Sequence, residues 1–304
     1  MKVGATISAP VAQRGIALIL VLWVLVLLTI IAGSFAYSVH TSTQMAANAI
    51  ETAKARELAD GGVMKGVFEL LSAQNLPTAW KANGQTHRMQ IEGHDIAVTL
   101  TDESGKIDLN GAPPALLTSL LQSVGVDADR AAQLALTIVS WRAPQPAGAG
   151  LQPQLGAVAA HGPFRNIEAL QQVPGITPQL FRRLAPLVTV FTGLPGVNTM
   201  LAPESVLRAL PGVSPELANA YAQQRAALWQ GGQAVPPLTQ AGSYNVAALS
   251  GFVGVLAQVS LSDGAGYARE AVVRITGQPG HPYQILSWRE AYPPTSEAQA
   301  DSSG

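Results

Sequence analysis

The chain has 304 residues, a formal net charge of -1 and only 12% charged residues, so it carries no strong field to attract nucleic acid or a basic partner. Its hydrophobic content of 48% is enough for a core of ordinary size and excludes a disordered chain. The absence of cysteine excludes disulfides, thiol catalysis and Cys-based zinc sites.

From Ile16 to Ala36 the sequence reads IALILVLWVLVLLTIIAGSFA. These are about 21 residues without a charge, which as a helix span roughly 31 Å, the thickness of a bilayer's hydrocarbon core. A cleaved secretory signal has an apolar stretch of only about 7 to 15 residues, so a single-pass anchor is the better reading. Lys2 and Arg14 precede the span and no acidic residue comes before Glu51, which places the N-terminus in the cytoplasm and the remainder outside it. Good helix formers continue without a breaker, with apolar residues at Met45, Ile50, Leu58, Val63, Val67, Leu70 and Leu71, so one helix is predicted from Ile16 to about Ala73. The adjacent Gly61 and Gly62 predict a bend in it, and Asn75 to Pro77 its end.

Residues Gln85 to Thr101 read as two short strands turning at Gly93. Three more follow in the last third. Val253, Val255, Ala257, Val259 and Leu261 alternate with mainly polar positions, as do Ala271, Val273 and Ile275, with a hairpin at Gly264 to Gly266; Pro282 to Trp288 is the third run. Between these two groups of strands, residues 106–237 read as helices punctuated by Pro and Gly, a helical domain inserted into a sheet domain. The fold class is therefore α+β. Head segments 38–105 and 238–288 flank the insertion, and a polar tail over 289–304 carries no apolar period.

The insertion holds a weak repeat. Ile107-Asp108-Leu109-Asn110 before Ala112-Pro113 recurs as Gly196-Val197-Asn198-Thr199 before Ala202-Pro203. Glycine turns follow at Val124-Gly125-Val126 and at Leu210-Pro211-Gly212-Val213, and a third lies at Val173-Pro174-Gly175-Ile176. Apolar-x-Gly-apolar between short amphipathic helices is how a helix-hairpin-helix unit reads. Ala143 to Gly156 reads as a flexible loop, and Asn166 as an N-cap for the next helix. Such hairpins can aim N–H groups at DNA phosphates, which makes a membrane-anchored DNA receptor the alternative function. However, Asp127 and Asp129 follow the first turn and Glu216 the third; only the second, with Arg182 and Arg183, is basic. A packing role fits all three better. No Gly-x-Ser-x-Gly, Walker loop or His-Glu-x-x-His occurs, and His40, His87, His94, His161 and His281 lack metal-ligand spacing, so no catalysis is expected.

The sharpest motif is Arg14-Gly15-Ile16-Ala17-Leu18-Ile19-Leu20. It resembles the site cut by prepilin peptidase, where a short basic leader ends in Gly and the apolar stretch stays with the mature chain. Most subunits of that class carry Glu five residues after the cut, where this chain has Leu20. That departure, the large head and the stretch DESGKIDLN at Asp102 to Asn110 resemble the K-type minor pseudopilins of type II secretion systems. The resemblance implies a leader over residues 1–15 removed at Gly15, a new N-terminus at Ile16, and a transmembrane part over 16–37. It further implies assembly with I- and J-type minor pseudopilins and the major pseudopilin on an inner-membrane secretion platform, as the tip that starts and caps a pseudopilus. Relatives can bind calcium near the insertion, but APQPAGAG follows Trp141-Arg142 with no acidic cluster. No cofactor is therefore expected, and Asp127 and Asp129 read as a solvated helix start.

Overall fold

A computed structural model describes residues 14–72, 79–144, 161–260 and 266–291. The chain forms two compact units, Met1–Lys54 and Ala55–Gly304. The expected leader up to residue 13, the breaker at Asn75 to Pro77, the loop over residues 145–156, the turn before Gly266 and the tail from residue 292 lie outside the described residues.

Helix α1 (Arg14–Ser72) supplies the whole described part of the first unit and enters the second. In the first unit every described side chain of Leu18 to Ala53 is exposed, because the apolar residues surround the axis on all sides and no stripe selects a protein core. In the second unit α1 acquires one buried face, formed by Ala55, Leu58, Ala59, Val63 and Val67. These spacings of three and four residues put them on one side of a helix.

That face packs on a five-stranded antiparallel sheet made of β1 (Asn83–Ile91), β2 (His94–Asp102), β5 (Phe252–Ser260), β6 (Gly266–Gln278) and β7 (His281–Glu290), in the order β1-β2-β5-β6-β7. Alternation does the sorting. Ile96, Val98 and Leu100 of β2 and Val253, Val255, Ala257 and Val259 of β5 all turn to the core they share with α1. Glu92 and Gly93 join β1 to β2 with φ of 51° and 79°, the left-handed pair that a two-residue hairpin requires.

The bend expected at Gly61 and Gly62 gives way to an unbroken helical run, and the structure supplies another use for the glycines. A Cβ on Gly62 would stand 3.0 Å from Ala257 Cβ and from Ile96 Cγ2, and one on Gly66 only 2.8 Å from Val255 Cγ1. Their missing side chains let the helix lie close on the sheet. The last strand runs to Glu290, two residues beyond Trp288, with Arg269↔Glu290 and Glu270↔Arg289 in register.

β2 and β5 are neighbours in the sheet although the whole insertion lies between them. It consists of β3 (Ile107–Asp108), α2 (Pro114–Ser123), α3 (Ala128–Trp141), a 3-10 turn (Ile167–Gln172), α4 (Pro178–Leu184), β4 (Val188–Thr189), α5 (Glu204–Leu207) and α6 (Pro215–Gln230). They surround their own core, in which Leu116, Leu120, Ile138, Leu170, Phe181, Leu184 and Leu207 are buried. All three hairpin turns form. Gly125, Gly175 and Gly212 take φ of 88°, 90° and 82°, conformations that suit glycine alone, and Asp127, Thr177 and Ser214 cap the helices that follow. Asn166 is a cap as expected, accepting the Ala169 N–H at 2.9 Å, but of a 3-10 turn.

Candidate functional site

The apolar part of α1 is the first candidate. It contains a window of mean hydropathy 2.8, none of it buried, and α1 is the one helix among the described residues long and apolar enough to cross a membrane. No ionisable side chain occurs from Leu18 to Ala36, and the polar ones are satisfied within the helix: Thr29 Oγ1 donates to Leu25 O at 2.7 Å and Ser34 Oγ to Ile31 O at 2.9 Å. Gly15 and Ile16 lie in helical backbone, and Leu20 is 62% exposed on the same helix.

The second candidate is the stretch Asp102 to Asn110, which the structure reveals as a buried polar joint between sheet and insertion. Asp102 ends β2 and binds both segments of chain that cross into the insertion: its Oδ1 accepts Ser104 N at 2.8 Å and Ser250 Oγ at 2.7 Å. Glu103 is 1% exposed and Lys106 8% exposed. Lys106 Nζ reaches Glu103 Oε1 at 2.8 Å and Glu270 Oε1 of β6 at 3.3 Å, while Glu270 Oε2 meets Arg289 of β7 at 2.5 Å. Arg289 also faces Glu168 of the insertion at 3.6 Å. Burial pushes the Lys106 ammonium down, but Glu103 and Glu270 outweigh it and hold its pKa above the ordinary lysine value. Burial likewise raises the Glu270 carboxyl, and Lys106 with Arg289 reverses this, leaving it below the usual carboxylate range. Each charge of the joint faces its opposite.

Asp108 fastens the next layer. Its Oδ1 accepts the N–H groups of Asn110 and Gly111 at 2.7 and 3.0 Å; its Oδ2 accepts Thr192 N, Thr192 Oγ1 and Gly193 N at 2.8, 3.0 and 2.9 Å. Asn110 Nδ2 donates to Phe164 O and Val190 O, and its Oδ1 accepts Phe164 N at 2.7 Å. With both oxygens engaged by donors from two segments, the Asp108 carboxylate works as a brace. A Cβ on Gly111 would fall 2.3 Å from Leu194 O, so only glycine allows the two segments to approach.

The repeat read in the sequence is a repeat in space. Arg142, at the end of α3, donates to Leu109 O and, at 2.7 Å, to Ala112 O. Arg225 of α6 donates to Thr199 O at 2.9 Å and Ala202 O at 2.7 Å. The acceptors correspond, since 199 − 109 = 90 and 202 − 112 = 90. β3 pairs in parallel with β4, and Val197 pairs in parallel with Asn245, so each copy opens on a parallel bridge. The arginines themselves are 83 residues apart (225 − 142), which hides their equivalence from a fixed-offset comparison.

In the second hairpin, the basic one, Arg183 Nη1 donates to Val124 O at 2.9 Å, at the first hairpin's turn, and Arg182 is exposed. Asp127 and Asp129 are exposed at the start of α3, and Asp127 Oδ1 accepts Arg130 N at 3.0 Å. Among the described residues no group of three or more His, Asp or Glu is placed to hold a metal. His87 and His161 stack on Trp80 and Trp141 with ring centroids 4.3 and 3.5 Å apart, and burial lowers the His87 pKa. His94 opens β2 opposite Ile91, at the hairpin turn.

A long apolar helix whose later turns pack on an antiparallel sheet defines a pilin-like α+β protein, here with a helical insertion. Residues 98–196 match the family model described as Type II secretion system (T2SS), protein K. The Type II secretion system protein K of Klebsiella pneumoniae is 24% identical over 228 residues, spanning 65% of this chain and 69% of the relative. One chain of the crystal structure of the GspK-GspI-GspJ complex from the enterotoxigenic Escherichia coli type 2 secretion system has the same fold, with TM-score 0.50 and 16% identity over 79% of this chain and 97% of that one. Family model and relative make the chain similar to protein K of the type II secretion system over these residues, and the solved structure shows the same fold.

Proposed function

We propose that the chain is cut by prepilin peptidase between Gly15 and Ile16 and then joins I- and J-type minor pseudopilins as the tip that starts and caps the pseudopilus. The observation that carries this reading is the match of residues 98–196 to protein K, because that segment contains the joint from Asp102 to Asn110 and both arms of the brace at Asp108. Before assembly α1 spans the inner membrane once, with Lys2 and Arg14 on the cytoplasmic side and the head in the periplasm.

Leu20 fits a tip position. A carboxylate inside the bilayer costs about 2.5 to 3.5 kcal/mol on insertion scales and is sustained when it neutralises a neighbour's free amine. A subunit with none above it has no amine to neutralise, and an apolar residue there leaves nothing uncompensated. The role is structural, without catalysis or cofactor, and the major pseudopilin and the secretion platform are the further partners.

The test is intact mass and N-terminal sequencing of the membrane-extracted protein, with and without co-expressed prepilin peptidase. A mature chain starting at Ile16, seen only with the peptidase and lost in Gly15→Val, is the expected result. An uncut chain in every condition contradicts the pilin-type pathway.

A further inference from the structure

The two copies of the internal repeat use their arginines differently. Arg142 spends both terminal nitrogens, Nη1 on Leu109 O and Nη2 on Ala112 O. Arg225 makes the two equivalent bonds, to Thr199 O and Ala202 O, with Nη1 alone. Its Nε is buried with no hydrogen-bond partner among the described residues. Arg225 is only 8% exposed, yet it belongs to none of the ion pairs among the described residues. The rings of Trp229 and Tyr221 lie 5.0 and 5.8 Å from its guanidinium carbon, which eases the charge but leaves the in-plane donors unused. Burial pulls its pKa below the ordinary arginine value, and the opposing influence of Tyr221 and Glu204 does not restore it.

Arg225 lines a cleft of about 1110 Å³, larger than the roughly 300 to 1,000 Å³ of a small-molecule site. Strand residues line it too: Asn83, Gly84 and Gln85 of β1, with Thr99 and Thr101 of β2. β1 is an edge strand of the sheet, and an extended peptide can add to such an edge through its backbone. Leu201, Pro203, Trp229 and Leu249 give the cleft an apolar lining, and Leu249 is 77% exposed. The two acidic residues in the lining are already engaged, Asp102 by Ser104 N and Ser250 Oγ, and Glu204 by Arg208 and Asn219. Lys81 adds a second cation. We propose that this cleft binds an extended acidic peptide segment of a partner protein, with an Asp or Glu side chain paired to Arg225 and a neighbouring apolar side chain against Trp229 and Leu249. The planar fork of a guanidinium matches a carboxylate, and pairing supplies the buried charge with the counter-ion it lacks.

The test uses the full chain in nanodiscs, with a phage-displayed library of random dodecapeptides as the probe. Ala226 is exposed on α6 and lines the cleft, so Ala226→Glu brings a competing carboxylate into it while the carbonyl bonds of Arg225 stay in place. Selected peptides are expected to carry an Asp or Glu beside an apolar residue and to bind Ala226→Glu at least about tenfold more weakly than the native chain. Ala226→Lys, similar in bulk and opposite in charge, is expected to retain them. Changing the peptide's acidic residue to its amide is expected to cost a similar factor in the native chain and less in Arg225→Lys, which keeps the charge but loses the fork. Peptides without an acidic residue, equal binding to both Ala226 variants, or no selection above empty nanodiscs overturns the proposal. An amide change that costs as much in Arg225→Lys as in the native chain also overturns it, because the carboxylate is then not held by the fork.

Discussion

Lys106 shows how a buried charge comes to be tolerated. It stands between Glu103 and Glu270, with Arg289 completing the alternation of signs, and every member has an opposite charge within hydrogen-bonding distance. Removing one partner leaves a buried ion uncompensated, which typically costs about 3 to 5 kcal/mol. Lys106→Met is therefore expected to lower the unfolding midpoint of the full chain in detergent sharply, whereas Lys106→Met with Glu103→Gln should cost less than the single changes added together. An additive double variant would show that the charges are not coupled. The pH dependence follows from the directions of the shifts. Glu270 is depressed in the folded chain, so its contribution is complete above the ordinary carboxylate value of 4.5 and is lost as pH falls through the lower folded value. Lys106 is raised, so its contribution is complete below 10.5 and is lost as pH rises through the higher folded value. The joint's own contribution to the thermal midpoint is expected to be flat between these limits and to fall in acid, and Glu270→Gln should weaken the acid-side fall.

At the scale of the element, two glycines in one helix carry opposite expectations. A Cβ on Gly61 meets nothing within 4 Å, so Gly61→Ala should stabilise the head by up to about 1 kcal/mol through helix propensity alone. Gly66 faces Val255 and Leu100 at 2.8 and 3.0 Å, so Gly66→Leu should destabilise it by about 1 to 3 kcal/mol through overpacking. Chemical denaturation of both variants checks the pair; equal effects would refute the close approach of helix and sheet. The sequence showed two weak helix formers and suggested a bend, because propensity speaks only of the helix itself. The use of Gly62 and Gly66 depends instead on Ile96 and Val255, which belong to strands distant in the chain. Turn glycines were legible for the converse reason. Gly125, Gly175 and Gly212 need a left-handed backbone, and that demand is local. The ion joint was half legible. DESGKIDLN stood out as a string, but its partners Glu270 and Arg289 belong to strands whose alternating pattern explains them equally well as solvent-facing charges. The twin arginines were hidden by unequal loop lengths. Replacing Arg142 or Arg225 by Ala strips two buried carbonyls of their donor, and each change is expected to cost about 2 to 3 kcal/mol, measurable by denaturation.

Across the whole molecule, the sequence divides labour between two kinds of surface. Residues 18–36 expose apolar side chains all round, a pattern that only lipid or other apolar helices can cover, whereas from Ala55 onward hydrophobic residues segregate to two interior cores. The fold class was readable because each segment's period is strong: 3.6 along the head part of α1 and 2 along the strands. The insertion's arrangement was less so, because its helices are short and its two-residue strands carry no period at all. The central claim is that this head, together with an apolar span free of carboxylates, makes a tip subunit. Native mass spectrometry of the mature full chain, co-expressed with the I- and J-type minor pseudopilins of the same secretion system, tests it most directly. The account requires one copy of each subunit in a ternary complex, retained when Leu20 is native and weakened in Leu20→Glu. A chain that stays alone, or that enters the filament in many copies like a major subunit, would contradict it.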